Sequence, residues 1–403
     1  MVLRIGMRRH LPDPSRRLVL TTGLKSAAAG LAVPVLTGHA TAASLSNTVD
    51  TSNRHTFHDL LPAGLGALVA RYPAVQFTVT SAEPFASGVP STVTASFKEA
   101  PARIESEANR ALVHLQRHLY RPRPVNLYRE GRAIPVRPDG SFYEIRYWSH
   151  RVDVSVMAGA PEKLWFAVKG GYLAPSSLRG DSLLVHEFIP PAEDAKAADA
   201  SLRQAWIYKA GSRRVRRAPD LAYDAVSDGS EGMITADQVD GFNGATDRYE
   251  WSDLGEATRL IPFNMFKHHE ASLPAKALLG QGSLANRFLR LEPRTVYRVE
   301  ARLRPGQRHI YARRMFYIDA QTSTVVMEEA FDTRGGLWRV ALHGLGFNPL
   351  LGVVQTRVSV YHDLLSGSYF VTGLDPESGP VFDTTRLARW NDFQPDALRR
   401  QGR

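Results

Sequence analysis

VYRVEARL at residues 296–303 and HIYARRMFYI at residues 309–318 decide the fold, because both alternate between apolar and polar side chains. A period of two is typical of a β-strand with one apolar face. In the first segment that face carries Tyr297, Val299, Ala301 and Leu303. Pro305-Gly306 between the two segments predicts a hairpin turn. Arg314 interrupts the alternation of the second segment, which indicates a bulge or a basic side chain at a cavity edge.

The same period recurs on both sides of this hairpin. It predicts further strands at residues 142–148, 152–157, 163–168, 183–189, 204–209, 324–331, 337–343, 353–362 and 369–372. Short turns without intervening helices, such as Ser366-Gly367, imply an antiparallel sheet. The apolar face of that sheet must be covered by helices, by strong curvature of the sheet itself, or by a ligand. The sequence therefore predicts a mainly β fold.

Helical patterns are few. Residues 57–72 show a short one that ends at Pro73, and residues 105–119 show the clearest amphipathic pattern in the chain. We expect an export signal at 1–42, an N-terminal extension with helices at 43–120, a curved antiparallel β domain at 121–380, and a C-terminal tail at 381–403.

The first 42 residues have the features of an export signal. Arg16 and Arg17 follow a serine and precede apolar residues, which is close to the twin-arginine pattern, and Ala40 and Ala42 form an A-x-A cleavage site. A disordered basic tail is the alternative. No later apolar run approaches the ~20 residues of a membrane-spanning helix. The chain contains no cysteine, so disulfides and a lipid anchor on cysteine are excluded. We therefore expect a periplasmic protein whose mature chain has no transmembrane segment.

The formal net charge of +10 overstates the basic character of the mature protein. Residues 1–42 hold six Lys or Arg against Asp13 alone, a net of +5, which leaves +5 for the remainder. Such a mild positive field suits anionic lipid head groups better than nucleic acid, so we expect no nucleic-acid partner.

Residues 213–251 mix charged, aromatic and glycine residues too irregularly for one helix or strand, which predicts an ordered loop on a scaffold. Its cationic run is a candidate contact for a head group or a protein partner, and consists of Arg213, Arg214, Arg216 and Arg217. The structural alternative, favoured by the nearby supply of carboxylates, pairs this run with Asp220, Asp224, Asp237, Asp240 and Asp247. For the aromatic residues, core packing and ligand contact are both open.

Catalytic and metal signatures are lacking. Neither the aspartates at 237–247 nor the scattered histidines have the spacing of a calcium loop or a zinc site. There is no G-x-S-x-G elbow and no thiol nucleophile, although two glycosidase carboxylates could come from anywhere in the chain. We expect no metal, no cofactor and no enzymatic activity.

Several short motifs in order carry a family resemblance over roughly residues 204–373. They include Trp206-Ile207-Tyr208, Phe242-Asn243-Gly244, Asp247-Arg248-Tyr249, Arg308-His309-Ile310-Tyr311, Arg313-Arg314 and Leu337-Trp338-Arg339. With them the chain resembles the bacterial envelope family of domain of unknown function 1329 (DUF1329), related to the LolA/LolB-like lipoprotein-sorting fold. The resemblance implies a strongly curved antiparallel half-barrel, covered by a few helices around an apolar cavity. Residues 121–203 match poorly.

The resemblance also implies a role in binding or carrying a lipid or other hydrophobic ligand, linked to outer-membrane lipid or lipoprotein trafficking. An outer-membrane or exporter protein is a possible partner. The expected ligand-binding side chains are Trp206, Tyr208, Phe242, Tyr249, Trp251, Tyr297, Phe316 and Trp338. A non-catalytic assembly partner of an outer-membrane protein is the alternative, and an envelope hydrolase is the third.

Overall fold

The computed structural model describes residues 48–81, 109–121, 123–188, 203–265, 273–348 and 353–401. All of them belong to one compact unit, Leu45–Arg403. The predicted export signal, with Arg16, Arg17, Ala40 and Ala42, lies outside the described residues.

The fold is mainly β, with 44% of residues in strands and 17% in helices, as predicted. The strands are β1 Thr48–Val49, β2 Phe77–Val79, β3 Asn126–Val136, β4 Ile145–Asp153, β5 Leu164–Ala174, β6 Ser182–Phe188, β7 Arg203–Lys209, β8 Arg214–Arg217, β9 Tyr249–Pro262, β10 Arg290–Leu303, β11 Arg313–Asp319, β12 Thr324–Phe331, β13 Leu337–Asn348, β14 Val353–Asp363, β15 Tyr369–Leu374 and β16 Phe382–Asp383. The helices are α1 Ala63–Arg71, α2 Arg110–Tyr120, α3 Ala275–Leu278 and α4 Pro395–Gln401.

All these strands form one large, open, curved sheet built from two meanders. Strands β9 to β15 pair in sequence order, as do strands β3 to β8. The meanders join where β15 pairs antiparallel with β3, placing Tyr369 opposite Val136. Among the described residues β8 pairs only with β7, so β8 is an edge strand.

One pairing departs from the predicted antiparallel arrangement. Strand β2 runs parallel to the start of β10, with Thr78 opposite Arg290 and Val79 opposite Leu291. The pairing of β10 with β11 begins only at Val296, so the preceding residues of β10 have free backbone groups on that side. The backbone N–H of Thr78 donates to the carbonyl of Leu289 at 3.0 Å. The sheet is therefore mixed.

The sheet has two faces, which we call face A and face B. Face A of β10–β15 and β3 carries the largest core, in which Val340, Val360 and Val371 pack against Leu65 and Leu68 of α1. A side chain of the sheet holds the N-terminus of α1, because the N–H of Gly64 donates to the carboxylate of Glu329 on β12 at 2.6 Å. A helix N-terminus favours such a carboxylate. Helix α1 therefore fills face A of this meander.

Face B of the same meander is covered by α2 and by the chain between β8 and β9. Ala111 and Leu115 of α2 pack against Phe316 and Val325, while Met233 and Ile234 pack further along the sheet. In the second meander, face A of β4–β8 is covered by the C-terminal segment, where Phe393 and Leu398 meet Leu184 and Tyr208.

The hairpin is confirmed in its pairing, but its second strand begins at Arg313 and not at His309, and Arg314 is fully buried in regular pairing instead of lying at a bulge or a cavity edge. Tyr297, Val299, Ala301 and Leu303 share face B and join one apolar cluster, and β10 pairs with β11 as expected. The predicted strand at residues 152–157 is wrong beyond Asp153. There the Asp153 carboxylate accepts from the N–H of Ser155 at 3.0 Å and caps a 3-10 helix, Val154–Val156.

Candidate functional site

Five of the predicted ligand-contact aromatics lie together on face B beneath α2. Phe242, Tyr249, Trp251 and Phe316 are buried in one cluster. The ring centroids of Phe242, Trp251 and Phe316 lie 5.5–5.9 Å from one another. Tyr297 packs at its margin and stacks on His114 at 3.9 Å. Core packing, one of the two possibilities open from the sequence, is what the described side chains show here. Ligand contact by these residues stays a prediction.

The remaining three lie elsewhere. Trp206 and Tyr208 point to face A of β7, where the C-terminal segment covers them. Trp338 is half-buried; its indole N–H donates to Asp363 Oδ2 at 2.9 Å. The eight predicted residues therefore occupy three separate places rather than lining one cavity.

The opposite side of β7 presents a different surface. Val168, Leu183, Val185 and Ile207 are each half-buried on face B of β5, β6 and β7. The strand register places Val168 opposite Val185, and Leu183 opposite Ile207. We call these four residues the aliphatic strip. A contiguous half-exposed apolar surface of this kind marks a binding site more often than scattered apolar residues do.

Guanidinium groups gather at one end of the aliphatic strip, beside Phe166. They belong to a set that we call the arginine cluster: Arg121, Arg123, Arg151 and Arg203. Arg121 and Arg123 share Asp240, at 2.7 and 2.9 Å. Arg203 pairs with Glu187 at 2.8 Å and also donates to Asn243. Arg151 donates to the backbone carbonyl of Pro124 at 3.1 Å, and its guanidinium lies 4.1 Å from the centroid of the Phe166 ring.

A small cavity of about 30 Å³ opens beside this cluster. It is lined by Leu119, Tyr120, Arg123, Trp165, Phe166, Glu187, Phe188, Arg203, Asn243 and Gly244. A cavity of this volume has room for a water molecule or one small polar group, not for a lipid tail.

The surroundings of the arginine cluster shift the pKa values of its members in different ways. Burial, reinforced by the charge of Arg123, lowers the pKa of Arg151 to about 9, and burial lowers the pKa of Arg121 to about 10. Burial alone would raise the pKa of Asp240, but Arg121 and Arg123 hold it well below its usual range. Burial is thus the main influence on the two arginines, while the two arginines are what keeps Asp240 ionised.

The predicted ion pairs of the arginines at 213–217 are wrong. Four of the five carboxylates proposed as partners bind other groups: Asp224 pairs with Arg248, Asp237 with Arg314, Asp240 with Arg121, and Asp247 accepts from the Tyr223 hydroxyl. The fifth, Asp220, lies in the 3-10 helix Pro219–Ala222. Arg214, Arg216 and Arg217 instead project from the exposed edge strand β8, directly after Arg213.

The sequence also failed to reveal a buried polar network. Arg314 is fully buried on β11, bonded to Glu328 at 2.6 Å and to Asp237 at 2.5 Å. His309 contacts the same Asp237 oxygen at 3.2 Å. The one available signal was the interrupted alternation at Arg314. The network fixes the segment around Asp237 onto the sheet.

Two serine–histidine pairs lack the surroundings of a catalytic site. Ser283 and His362 lie 2.9 Å apart, as do Ser359 and His343, and all four side chains are buried. The second nitrogen of His362 faces the backbone carbonyl of Val340, where a catalytic triad has a carboxylate. Within the described ranges, no group of three histidine or acidic side chains is placed to hold a metal ion.

The helices of the described segments are all too short or too polar to cross a membrane.

Comparison with known proteins identifies the family. The model of the family described as "Protein of unknown function (DUF1329)" matches residues 48–399, so the chain belongs to this family. An uncharacterized protein of Pseudomonas aeruginosa is 37% identical over 243 residues, which cover 60% of this chain and 52% of that protein. The match therefore spans about half the length of this relative.

Two solved structures are similar at lower identity. A DUF1329 family protein from Desulfovibrio piger is 13% identical, with a TM-score of 0.47 over 74% of this chain and 98% of that one. A LolA superfamily protein from Nitrosomonas europaea is also 13% identical, with a TM-score of 0.41 over 72% of this chain and 97% of that one.

Proposed function

We propose that this DUF1329 protein is exported to the periplasm, where it binds a lipid or other hydrophobic ligand and carries it between sites in the envelope. The observation that supports this function is the aliphatic strip. Its four side chains, Val168, Leu183, Val185 and Ile207, stay half-buried on a sheet whose other apolar surfaces are covered by α1, α2 or the C-terminal segment.

The dimensions of the strip suit an acyl chain. Adjacent strands lie ~4.8 Å apart, so the strip extends about 10 Å across β5, β6 and β7. Each methylene fully removed from water contributes ~0.8 kcal/mol, so a tail of ten contributes at most roughly 8 kcal/mol, and less where its outer side stays in water, before the entropic costs of association. Binding of useful affinity needs no specific polar motif, which agrees with a sequence that does not reveal the ligand.

The experiment is a titration with dodecanol and with dodecanoate, followed by native mass spectrometry of the complex. Val185→Asp puts a charge in the middle of the strip, and we expect it to weaken binding of both compounds at least tenfold. Leu365→Asp is the matched control, since Leu365 is 66% exposed in the turn between β14 and β15. Equal affinities of the two variants, or no binding by the unmodified protein, would contradict the proposal.

A second function, assembly partner of an outer-membrane protein, is favoured by β8. This edge strand presents unpaired backbone groups together with Arg214, Arg216 and Arg217, a surface that an acidic strand of a partner could extend. Replacing these three arginines and Arg213 with alanine is then expected to abolish capture of one protein from solubilised envelopes without changing the affinity for dodecanol. Unchanged capture would exclude β8 as the interface.

A further inference from the structure

We propose that the arginine cluster binds the anionic head group, a phosphate or carboxylate, of an amphiphile whose tail lies on the aliphatic strip. This inference names the ligand class for the proposed function and rests on it. It places the head group at Arg123 and Arg151, away from the exposed arginines of β8.

Positive charges outnumber negative ones in the arginine cluster. It contains four guanidinium groups, and among the described residues two carboxylates, Asp240 and Glu187, form ion pairs with them. Asp153, on the same face as Arg151 and two residues further along β4, uses its Oδ1 to accept from Ser155. Even if Asp153 is counted, four positive charges face three negative ones. Buried charges in proteins are normally paired, so this excess calls for an anion.

Two nitrogen atoms of the cluster lack an acceptor in the described part of the chain. They are the Nε atoms of Arg123 and Arg151, and both are buried. A desolvated donor without an acceptor is unfavourable, and more so when the group is charged. An oxygen of a phosphate or carboxylate supplies the acceptor and the negative charge at once, in the forked geometry that guanidinium groups favour.

The arginine cluster lies next to the aliphatic strip. Phe166 connects them: Arg151 lies over its ring, and Val168, two residues later on β5, belongs to the strip. The cavity beside Phe166 is walled on its other side by Trp165, which stacks on Tyr120 at 4.5 Å. The cavity of about 30 Å³ has room for one oxygen of the head group, while the tail continues along Val168 and Val185.

The arginines of β8 are the competing head-group site. Arg214 and Arg216 are exposed, so water already satisfies their donors and screens their charge. An anion gains more at the half-buried Arg151, where water is largely excluded.

The test compares four probes: dodecyl phosphate, dodecanoate, dodecanol and inorganic phosphate. We expect the unmodified protein to bind the two anionic amphiphiles at least tenfold more tightly than dodecanol. Arg151→Gln is expected to remove this preference, so that the anionic amphiphiles and dodecanol bind the variant with similar affinity. The matched control is Arg216→Gln on the exposed edge strand, which should retain the preference.

Thermal unfolding without ligand gives a second readout. Because no carboxylate in the described part of the chain forms an ion pair with Arg151, Arg151→Gln is expected to unfold within a few degrees of Arg151→Lys, which keeps the positive charge. A fall of several degrees for Arg151→Gln that Arg151→Lys does not share would mean that the guanidinium already has a counter-charge within the protein, and would overturn the inference. Retention of the anion preference by Arg151→Gln would overturn it as well.

The outcomes separate this inference from the proposed function. If dodecanol binds as tightly as the two anionic amphiphiles, the proposal of a hydrophobic ligand holds and the proposal of a head-group site is wrong. If inorganic phosphate binds as tightly as dodecyl phosphate, and Arg151→Gln abolishes binding of both, the arginine cluster is an anion site but the tail does not contribute to binding.

Discussion

Arg314 has the largest volume of the fully buried side chains in the described part of the chain. Its guanidinium lies between Asp237 and Glu328, and these two carboxylates raise its pKa well above the usual value against the opposing effect of burial. Burial acts to raise the pKa of Asp237, yet Arg314 lowers it to about 2. Each partner thus keeps the other charged, and neither can be removed without leaving an uncompensated charge.

Asp237→Ala is therefore expected to lower the free energy of unfolding by ~3–5 kcal/mol, measured by urea titration. The control is Arg110→Ala, which removes the pair of Arg110 with Asp253 at 3.3 Å. Arg110 is 76% exposed, so the control is expected to change stability by less than ~1 kcal/mol. A similar small loss for both variants would show that the buried network contributes little.

The sequence marked Arg314 as an interruption but could not supply its partners. Asp237 is 77 residues away along the chain, and only the folded sheet brings the two together. The same reason explains why pairing the arginines of β8 with nearby aspartates was wrong. Proximity in sequence is a weak guide to ion pairing when a sheet joins distant strands.

Strand β15 bends where its pairing with β3 shifts register between Thr372 and Leu374. Gly373 lies at this bend with φ +90°, and a Cβ there would lie 2.3 Å from the carbonyl oxygen of Arg357 on β14. Only glycine allows both the left-handed backbone and the close approach of the neighbouring strand.

Gly373→Ala is expected to cost at least ~3 kcal/mol of unfolding free energy, because backbone strain adds to a contact with backbone that cannot move aside. Gly306→Ala provides the comparison. It has a similar φ of +79° in the turn after β10, but a Cβ there meets nothing within 4 Å. We expect it to cost ~1 kcal/mol, and equal losses in a denaturant series would refute the steric argument.

Apolar and β-branched character identified most of the strands, and it overlooked strands in which charged side chains occupy inward-facing positions. The β10–β11 hairpin and β12 to β15 were predicted, whereas β3 and β9 were not. Strand β3 contains Arg132 and Pro135, and the Arg132 side chain is buried because backbone carbonyls of Leu273 and Asp375 accept from it. Strand β9 carries charged residues along an outer strand. The sequence of β7 did not reveal the aliphatic strip, because its large aromatic side chains, Trp206 and Tyr208, lie on the opposite face.

At the scale of the whole molecule, buried histidines link stability to pH. Burial lowers the pKa of His150, His343 and His362 to about 4 each. Between pH 6.5 and pH 4 the unfolded chain takes up protons at these histidines that the folded protein does not. Each one therefore lowers the free energy of unfolding by ~1.4 kcal/mol per pH unit as the pH falls through this window. Glu329 and Asp319, whose pKa values burial raises, oppose the trend.

His362→Gln is expected to reduce this slope by ~1.4 kcal/mol per pH unit below pH 6.5, as measured by urea unfolding at successive pH values. Between pH 7.5 and 8.5 the imidazole is neutral in both states, so the variant and the unmodified protein should show parallel curves. Identical slopes below pH 6.5 would mean that His362 gains its proton without unfolding.

The composition and the resemblance together predicted the class of the molecule: a mainly β protein with one curved sheet and few helices. They could not predict that both faces of the β9–β15 meander are covered by other segments, while the aliphatic strip on face B of β5–β7 remains partly exposed. That asymmetry depends on where α2 and the segment carrying Asp237 pack, and these positions follow from long-range contacts such as the Arg314 network.

The joint between β15 and β3 has a consequence for biogenesis. Each meander can form as soon as its own strands have been synthesised, because neighbours in sequence are neighbours in space. Val136, however, finds its partner only when Tyr369 has left the ribosome, and closing so long a loop is entropically costly and slow. Until then one flank of β3 remains open to other chains. Substitutions at this joint should therefore reduce the yield of newly synthesised, folded protein more than they accelerate the unfolding of molecules that have already folded.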